Sequence, residues 1–413
     1  MTRRFLATLT TAALLSFGIP ASSGQDLGKI FEKAAKKVAK NALSPSGDPV
    51  PGRASRGVAG ASRGEVLPFK TQDGWTLVAH HYPPAKAAKP GALPVILCHG
   101  LTYNASFWDL DPSCSFATYL ADLGYDVWSI DLRGSGMSQK WVWKLDEAPD
   151  MLIGSAIRKL SNGKIAPTGY ATADPKYANW SLDHHIAYDV PAAVKFVKRQ
   201  TGAPEVTWIG HSMGGIVAIC HLARYGNPGI GKLVTVGSQV TMPNGQLPLQ
   251  FLGEMLQTRQ EQLTGQLRGE ELVNASRTSV QNMFFNVQNV DKKIYDALSG
   301  PATDIPGMAL MQQYSVLGQK GQLFDATQKV NYAQLLGNIK VPMFISCGAA
   351  DQFAPPSEQK FLLDHVGSTD KTLVIFGRAS GFAADAGHDD ALVGRNSKAQ
   401  VYPTIEKWLS GAR

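Results

Sequence analysis

The chain has few cysteines, no long apolar run beyond its first residues and, over most of its length, no net charge. Its 413 residues include four cysteines, whose spacing fits no zinc-binding pattern. After residue 24 no stretch is apolar enough to cross a bilayer. Residues 65–413 hold 30 basic and 30 acidic residues, so this body gives no electrostatic case for binding nucleic acid. The sequence leaves open whether these cysteines pair: Cys98, Cys114, Cys220 and Cys347.

The surplus of basic residues lies at the N-terminus. Residues 1–64 contain ten Lys and Arg against three Asp and Glu, which accounts for the whole formal charge of +7. Arg3 and Arg4 precede an apolar stretch and a small-residue region, so residues 1–24 are predicted to be a signal peptide. A short uncleaved anchor is the alternative, and the export route, general or twin-arginine, stays open. We therefore expect an exported protein, periplasmic or secreted.

Residues 25–64 are predicted to form a basic amphipathic helix followed by a linker. Leu27, Ile30 and Phe31 fall on one helical face, and lysines cover much of the remainder. Such a segment is typical of contact with an anionic membrane surface, here through residues 26–42, although docking onto the protein's own body fits the pattern equally well. The last twenty or so residues of this stretch are rich in Pro, Gly, Ser and Arg, as linkers are.

From residue 65 onward, predicted strands and helices alternate. The strands are short runs of apolar or alternating residues: 66–70, 76–82, 95–98, 126–130, 206–209, 233–236, 343–346 and 372–376. The last six are continuously apolar, as expected of parallel strands buried on both faces, whereas the first two are polar enough for an antiparallel edge. The pattern predicts an α/β fold with an eight-stranded, mostly parallel sheet flanked by helices.

Two intervals are too long for simple connections between neighbouring elements. Residues 135–182 separate a strand from its following helix, and residues 240–340 separate two strands. Both begin at the carboxyl ends of strands, where ligands bind in such sheets, so we interpret them as helical cap insertions over a site. Five bulky side chains would line that site or form the core of the cap itself: Trp141, Trp143, Met283, Phe284 and Phe285.

The sequence GHSMG at residues 210–214 carries the strongest chemical signal. A predicted strand leads into it and a predicted helix follows, which is the setting of a G-x-S-x-G nucleophile elbow. The two glycines permit a strained turn that exposes the hydroxyl of Ser212. The five-residue pattern is weak by itself, because chance supplies it in many chains, so the interpretation depends on partner residues.

A serine nucleophile needs a base to accept its proton, and the base needs a third group to hold it. In this order of elements the histidine follows the last strand, which selects His388. The acid follows the preceding strand, which selects Asp351. Three acids that neighbour His388 in the chain lack the reach to orient its ring and rank below Asp351: Asp385, Asp389 and Asp390.

Acyl transfer also requires N–H donors for the developing oxyanion. The backbone N–H groups of Met213, directly after the serine, and of Leu101, in the loop after strand 95–98, are predicted to be these donors. His99 and Gly100 in the same loop, and His211 beside the serine, are candidate substrate-binding residues. A plain turn at the end of a strand is the alternative for His99 and Gly100.

These markers together resemble the α/β-hydrolase superfamily from about residue 65 to the end. Three further stretches are similar to the acid-lipase branch: GYDVW at 124–128, Arg133 with Gly134, and YDVPA at 188–192. The ending that begins with GHDD at 387–390 is more weakly similar to polyhydroxyalkanoate synthases, which use cysteine where this chain has Ser212. The resemblance implies an α/β-hydrolase domain over residues 65–413.

The residues and the resemblance together predict an exported serine hydrolase that cleaves a carboxylic ester through an acyl-enzyme. Its expected partner is a small-molecule or lipid ester with a bulky apolar part. Thioester hydrolysis, lactone hydrolysis and acyl transfer use the same triad and stay open, as does a non-catalytic lipid-binding protein of the same fold. No metal or organic cofactor is implied. Neither the particular ester nor the oligomeric state follows from the sequence.

Overall fold

The computed structural model describes residues 64–139, 143–146, 170–173, 180–227, 229–242, 284–298, 302, 304 and 306–411. The predicted signal peptide, the basic helix and all but the last residue of the linker lie outside these ranges, as do large parts of both predicted insertions. Among the described residues, no helix combines the length and the apolar character that crossing a bilayer requires.

Ten strands follow one another along the described chain. They are β1 (Glu65–Lys70), β2 (Thr76–Tyr82), β3 (Val95–Cys98), β4 (Val127–Asp131), β5 (Trp143–Asp146), β6 (Tyr170–Ala173), β7 (Val206–His211), β8 (Ile230–Val236), β9 (Met343–Gly348) and β10 (Lys371–Phe376). Eight of them form one sheet in the order β1-β2-β4-β3-β7-β8-β9-β10, so every predicted strand of the sheet is confirmed. β1 and β2 pair antiparallel, as does β2 with β4, and the remaining pairs are parallel.

Helices connect these strands. Those of four or more α-helical residues in the described chain are α1 (Phe116–Asp122), α2 (Val190–Thr201), α3 (Met213–Tyr225), α4 (Lys292–Leu298), α5 (Met308–Lys320), α6 (Pro356–His365), α7 (Asp390–Val393) and α8 (Tyr402–Leu409). A single α-helical turn, Leu182–His184, precedes α2. Local sequence explains several of their ends: Ser115 caps α1 by accepting from the Thr118 N–H, and prolines occupy the first turns of α2, α6 and α8. Gly202, in the left-handed conformation, ends α2.

The large sheet separates two apolar clusters. Along β3 the side chains alternate, with Ile96 and Cys98 in one cluster and Val95 and Leu97 in the other. All four are fully buried. A strand covered on both faces tends to be apolar on both, which explains the continuous apolar run of β3. Its parallel neighbours β4 and β7 are mostly apolar, although Ser129 and Thr207 are also buried.

β5 and β6 form a separate two-stranded sheet within the first predicted insertion. The second insertion contributes α4, α5 and a 3₁₀ turn at Tyr332–Asn338 to the described chain. The interpretation of both intervals as caps over a site stays a prediction.

Arg133, in the loop after β4, is a buried cation held by two carboxylates. Its Nη2 lies 2.7 Å from Asp189 Oδ1, and its Nη1 lies 2.8 Å from Asp73 Oδ2. The guanidinium carbon stands 4.9 Å from the centre of the Trp75 ring. Because a buried charge must be paired and hydrogen-bonded, this cluster joins the β1–β2 turn, the loop after β4 and the start of α2. Two of the stretches that resemble acid lipases meet here.

The four cysteines, whose pairing the sequence leaves open, are free and buried. Burial raises the pKa of the Cys114 thiol to about 12. Cys98 and Cys347 lie on β3 and β9, and Cys220 lies on α3. They act as small apolar side chains of the core in this structure.

Candidate active site

Ser212 occupies a strained turn between β7 and α3. Its backbone has φ 50° and ψ −121°, in the left-handed region that a residue with a side chain rarely adopts. The flanking glycines are required by close packing. A Cβ on Gly210 would lie 2.2 Å from the Gly215 nitrogen, and one on Gly214 would lie 2.2 Å from the Cys98 carbonyl oxygen. Glycine at both positions therefore lets the strand turn directly into the helix.

Hydrogen bonds hold this turn in its strained form. The Ser212 N–H donates to the Val236 carbonyl at the end of β8, over 2.9 Å. The Ser212 carbonyl accepts from the Ser238 hydroxyl at 2.9 Å and from the Gly215 N–H at 3.0 Å. The end of β8 and the residues just after it thus hold the serine in this conformation, and these bonds offset part of the strain.

His388 lies in the loop between β10 and α7, and it is bonded to Asp351 in the loop after β9. The distance between His388 Nδ1 and Asp351 Oδ2 is 2.8 Å. The other carboxylate oxygen of Asp351 accepts from the Phe353 N–H at 2.9 Å and from the Ala354 N–H at 2.7 Å. These bonds fix the carboxylate, which in turn fixes the imidazole. Ser212, Asp351 and His388 are all buried.

The surroundings of His388 favour its protonated form. Burial would lower the pKa of the imidazole, but the charge of Asp351 and its hydrogen bond, with help from Asp389 and Asp390, raise it above the usual value. Since Nδ1 is bonded to Asp351, the free position for accepting a proton is Nε2. Among the described residues, His388 Nε2 has no hydrogen-bond partner. Such a ring is arranged to take up a proton at Nε2 and hold the resulting charge.

Gly237, just after β8, makes room for this pair, and the sequence interpretation missed it. A Cβ there would lie 2.9 Å from His388 Nδ1 and 3.1 Å from Asp351 Oδ2. Its φ is 62°, so it is also a turn that favours glycine. A glycine at the end of the strand after the elbow was the available signal, but glycines are too common in this chain to single it out.

The predicted oxyanion donors lie on the two segments that border Ser212. Met213 is the first residue of α3, so its N–H has no acceptor within the helix. The loop 99–101 packs against the serine, because a Cβ on Gly100 would lie 3.3 Å from Ser212 Cβ. Leu101 is the residue that follows this close approach. The structure thus brings together the segments of both predicted donors, Leu101 and Met213.

The two candidate substrate-binding histidines are buried and engaged in internal contacts. His99 Nε2 accepts from the Leu132 N–H at 3.2 Å, and its Nδ1 lies 2.8 Å from the Gly100 carbonyl. His211 stacks on Phe107, with ring centres 4.6 Å apart, and its Nε2 lies 3.2 Å from the His388 carbonyl. The His211 ring is 4.9 Å from the His388 ring, so it connects the elbow with the histidine loop.

Two phenylalanines cover the histidine. Phe353, beside Asp351, has its ring centre 5.0 Å from that of His388, and Phe284 has its ring centre 5.5 Å away. The two phenylalanine rings also contact each other at 5.2 Å. Phe284 is one of the five bulky residues predicted to line the site. Phe285 is buried and packs on Tyr295, while Trp141 and Met283 lie outside the described residues.

One group of described residues has the composition of a metal site. Potential ligand atoms of His211, His388 and Asp389 lie within 4.8 Å of one another. Only some of their polar atoms have protein partners: His388 Nδ1 bonds to Asp351 and Asp389 Oδ2 accepts from Tyr103 at 2.7 Å, whereas His388 Nε2 and Asp389 Oδ1 have no hydrogen-bond partner among the described residues. Because Asp351 already holds the His388 ring through Nδ1, we treat this group as part of the surroundings of that ring.

Comparison with known proteins identifies the family. A family model described as the alpha/beta hydrolase fold matches residues 94–388, well over half of the chain. The chain belongs to this family, which confirms the predicted fold class. The esterase EaEST from Exiguobacterium antarcticum shares the fold, with a TM-score of 0.53 at 16% identity over 83% of this chain and 98% of that one.

Relatives of similar sequence are lipases. Lipase member K of Homo sapiens is 30% identical over 176 residues, which cover 42% of this chain and 37% of that protein. Gastric triacylglycerol lipase of Rattus norvegicus is 29% identical over 168 residues, which cover 40% of this chain and 35% of that protein. The chain therefore matches less than half the length of these relatives. The resemblance to acid lipases is confirmed, and the weaker one to polyhydroxyalkanoate synthases stays a prediction.

Proposed function

We propose that this protein is a serine hydrolase of carboxylic esters. Two observations carry the proposal: a serine in a strained strand-to-helix turn, and a buried histidine whose Nδ1 lies 2.8 Å from a buried carboxylate. Esterases and lipases among the similar proteins support the same reaction class. The roles are nucleophile for Ser212, base for His388 and orienting acid for Asp351.

In the first half of the reaction, the Ser212 oxygen attacks the ester carbonyl while its proton passes to His388 Nε2. The negative oxygen that forms is stabilised by the N–H groups of Leu101 and Met213. His388 then returns the proton to the departing alcohol, and the acyl group remains on Ser212 as an ester. Asp351 keeps the ring oriented and stabilises its charged form throughout.

In the second half, water replaces the alcohol. His388 takes a proton from the water, which attacks the acyl-enzyme, and the same pair of N–H groups stabilises the second oxyanion. Collapse of the intermediate returns the proton to Ser212 and frees the carboxylic acid. The cycle consumes one water and one ester, and the enzyme ends unchanged.

The proposed substrate is an ester with a bulky apolar part, as in lipids. The rings of Phe284 and Phe353 against His388 make one wall of the reaction centre apolar. A relative named for triacylglycerol hydrolysis favours the same class. We also propose that residues 1–24 direct export and that residues 26–42 contact an anionic membrane surface.

Replacing the nucleophile tests the reaction directly. Ser212→Ala should lower kcat for p-nitrophenyl esters by roughly a millionfold, as the loss of the nucleophile does in other serine hydrolases. A serine-directed phosphonate should add its mass to wild-type protein at Ser212 and leave the variant unlabelled. Comparing short-chain with long-chain esters, the latter as an emulsion, measures the preference for lipid-like substrates.

Ser346→Ala is a matched control, because Ser346 is also a buried serine of the sheet and donates to the Thr235 carbonyl at 2.9 Å. It should keep its turnover. Undiminished ester hydrolysis in Ser212→Ala would contradict the proposed reaction. A preference for short soluble esters would contradict only the lipid-like substrate.

A further inference from the structure

A second buried carboxyl group lies directly beside His388, and the proposed reaction does not use it. Asp389 is fully buried. Its Oδ2 accepts a hydrogen bond from the Tyr103 hydroxyl at 2.7 Å. Its Oδ1 lies 3.4 Å from His211 Nε2, beyond a well-formed hydrogen bond, and has no hydrogen-bond partner among the described residues. A carboxyl group buried with a single donor is costly to ionise, so its presence requires an explanation.

Asp389 is connected to the His388 backbone through His211. His211 Nε2 lies between the His388 carbonyl, at 3.2 Å, and Asp389 Oδ1. Burial and the nearby His388 hold the pKa of His211 well below its usual value, so this ring is neutral. A neutral ring facing a carbonyl must carry its proton on Nε2. His211 therefore donates to His388, and the stacked Phe107 holds its plane.

Several segments around Asp389 bring a titratable group toward it. These groups are Tyr103, His211, His388, Asp390 and Asp351. Burial is the largest influence and raises the pKa of Asp389 to about 7, although His388 and the Tyr103 hydroxyl oppose it. Tyr103 stays a donor, because burial raises the pKa of its own hydroxyl well above the usual value.

An ionised Asp389 acts in turn on His388. A negative charge beside an imidazole favours the imidazolium, and Asp389 is one of the charges that raise the pKa of His388. As the pH falls through about 7, a growing fraction of Asp389 takes up a proton, so this influence on His388 weakens. Above neutral pH it adds to the effect of Asp351. The two buried sites therefore titrate as a coupled pair.

We propose that Asp389 is a positioning residue that, with Tyr103 and His211, sets the pH at which His388 can act as a base. The proposal rests on the proposed role of His388 in ester hydrolysis. Asp351 orients the ring from Nδ1, and Asp389 adds a second charge that responds to pH. The pH range of ester hydrolysis would then depend on the protonation of Asp389, a residue with no direct part in the bond-making steps.

Asp389→Asn is the test, because asparagine keeps the shape and can still accept from Tyr103 but carries no charge at any pH. Without the charge the pKa of His388 falls, so the acidic limb of the kcat/KM profile should move to lower pH by about one unit. The same shift should appear in the ¹³Cε1 NMR titration of His388 in the resting enzyme, assigned by its absence in His388→Asn. This second measurement needs no turnover.

Asp385→Asn is the matched control, since it removes the same charge from the same loop at a side chain that is 41% exposed. It should leave the acidic limb in place. Equal His388 titrations in wild type and Asp389→Asn would overturn the proposal, and so would an equal shift in Asp385→Asn. If Asp389→Asn does not fold, Tyr103→Phe takes its place, and an unchanged His388 titration in that variant overturns the proposal too. Failure of the proposed reaction is seen separately, as hydrolysis that survives Ser212→Ala.

Discussion

The loops that follow β9 and β10 each place a buried acid close to His388, but the two carboxylates differ in the hydrogen-bond donors around them. Asp351, after β9, has one oxygen bonded to two backbone N–H groups and the other to His388 Nδ1. Asp389, after β10, has one oxygen on Tyr103 and the other without a hydrogen-bond partner among the described residues. Both carboxylate side chains are fully buried, so the difference between them lies in the donors.

Donors decide which of the two carboxylates can hold a proton-accepting histidine. Hydrogen bonds to the charged form stabilise it, whereas burial without them favours the neutral acid. Asp390, the next residue, resembles Asp351 in this respect: its oxygens accept from Gly387 and Asn286 backbone N–H groups and from the Asn289 side chain. A triad acid is therefore recognised by its donors as well as by its closeness to histidine.

The largest effect is expected for Asp351. Asp351→Asn keeps the size of the side chain but removes the charge that orients and stabilises the imidazolium. We expect kcat to fall by about ten-thousandfold, as in the chymotrypsin-type triad, with KM changed little. Steady-state kinetics on a soluble ester measures it. Asp364→Asn, at a half-exposed residue of α6, is the control and should retain full activity. If Asp389→Asn lowered kcat as much as Asp351→Asn, the assignment of the triad acid would be wrong.

An intermediate effect is expected for Asp390, and it concerns the stability of the fold. Asp390→Ala leaves the backbone N–H groups of Gly387 and Asn286 without their acceptor in a largely buried place. Each unsatisfied buried donor costs about 1–3 kcal/mol, so the free energy of unfolding should fall by roughly 2–4 kcal/mol. Urea unfolding followed by circular dichroism measures this, with Asp389→Asn as the comparison. If Asp389→Asn lowered the free energy of unfolding more than Asp390→Ala does, then Asp389 would be the structural residue of the two, and our assignment would be wrong.

Most of the fold was predictable because central strands of the parallel sheet, such as β3, β7 and β9, are buried on both faces. Ile96 and Val95 enter different clusters, so strand β3 must be apolar throughout, and this signal is local. Strand order then predicts Ser212, Asp351 and His388 as the candidate residues, and they follow β7, β9 and β10. The insertions show no comparable local pattern, because the residues that pack against a helix such as α5 are distant from it in sequence.

The surroundings of the candidate site were predictable only in part. Asp389 is adjacent to His388 in the chain, but its donor Tyr103 lies 286 residues away, and no local pattern joins the two. Gly237 is likewise one of 41 glycines, and only its closeness to His388 in the structure distinguishes it. Residues that act through three-dimensional closeness, with no spacing of their own, require the structure.

The smallest effect is expected for Tyr103, and it separates the influence of the donor from that of the charge. Tyr103→Phe removes the one hydroxyl that stabilises ionised Asp389, so the pKa of Asp389 should rise and its charge should appear only at higher pH. The acidic limb of kcat/KM should then move down by about 0.3 pH unit, less than in Asp389→Asn, because the acid can still ionise. Tyr119→Phe, on α1, is the control and should not move the acidic limb.

The double variant Tyr103→Phe with Asp389→Asn tests whether the two residues act together. Its shift of the acidic limb should equal that of Asp389→Asn alone, since the hydroxyl has no charge left to stabilise. Additive shifts would mean that Tyr103 acts on His388 independently of Asp389.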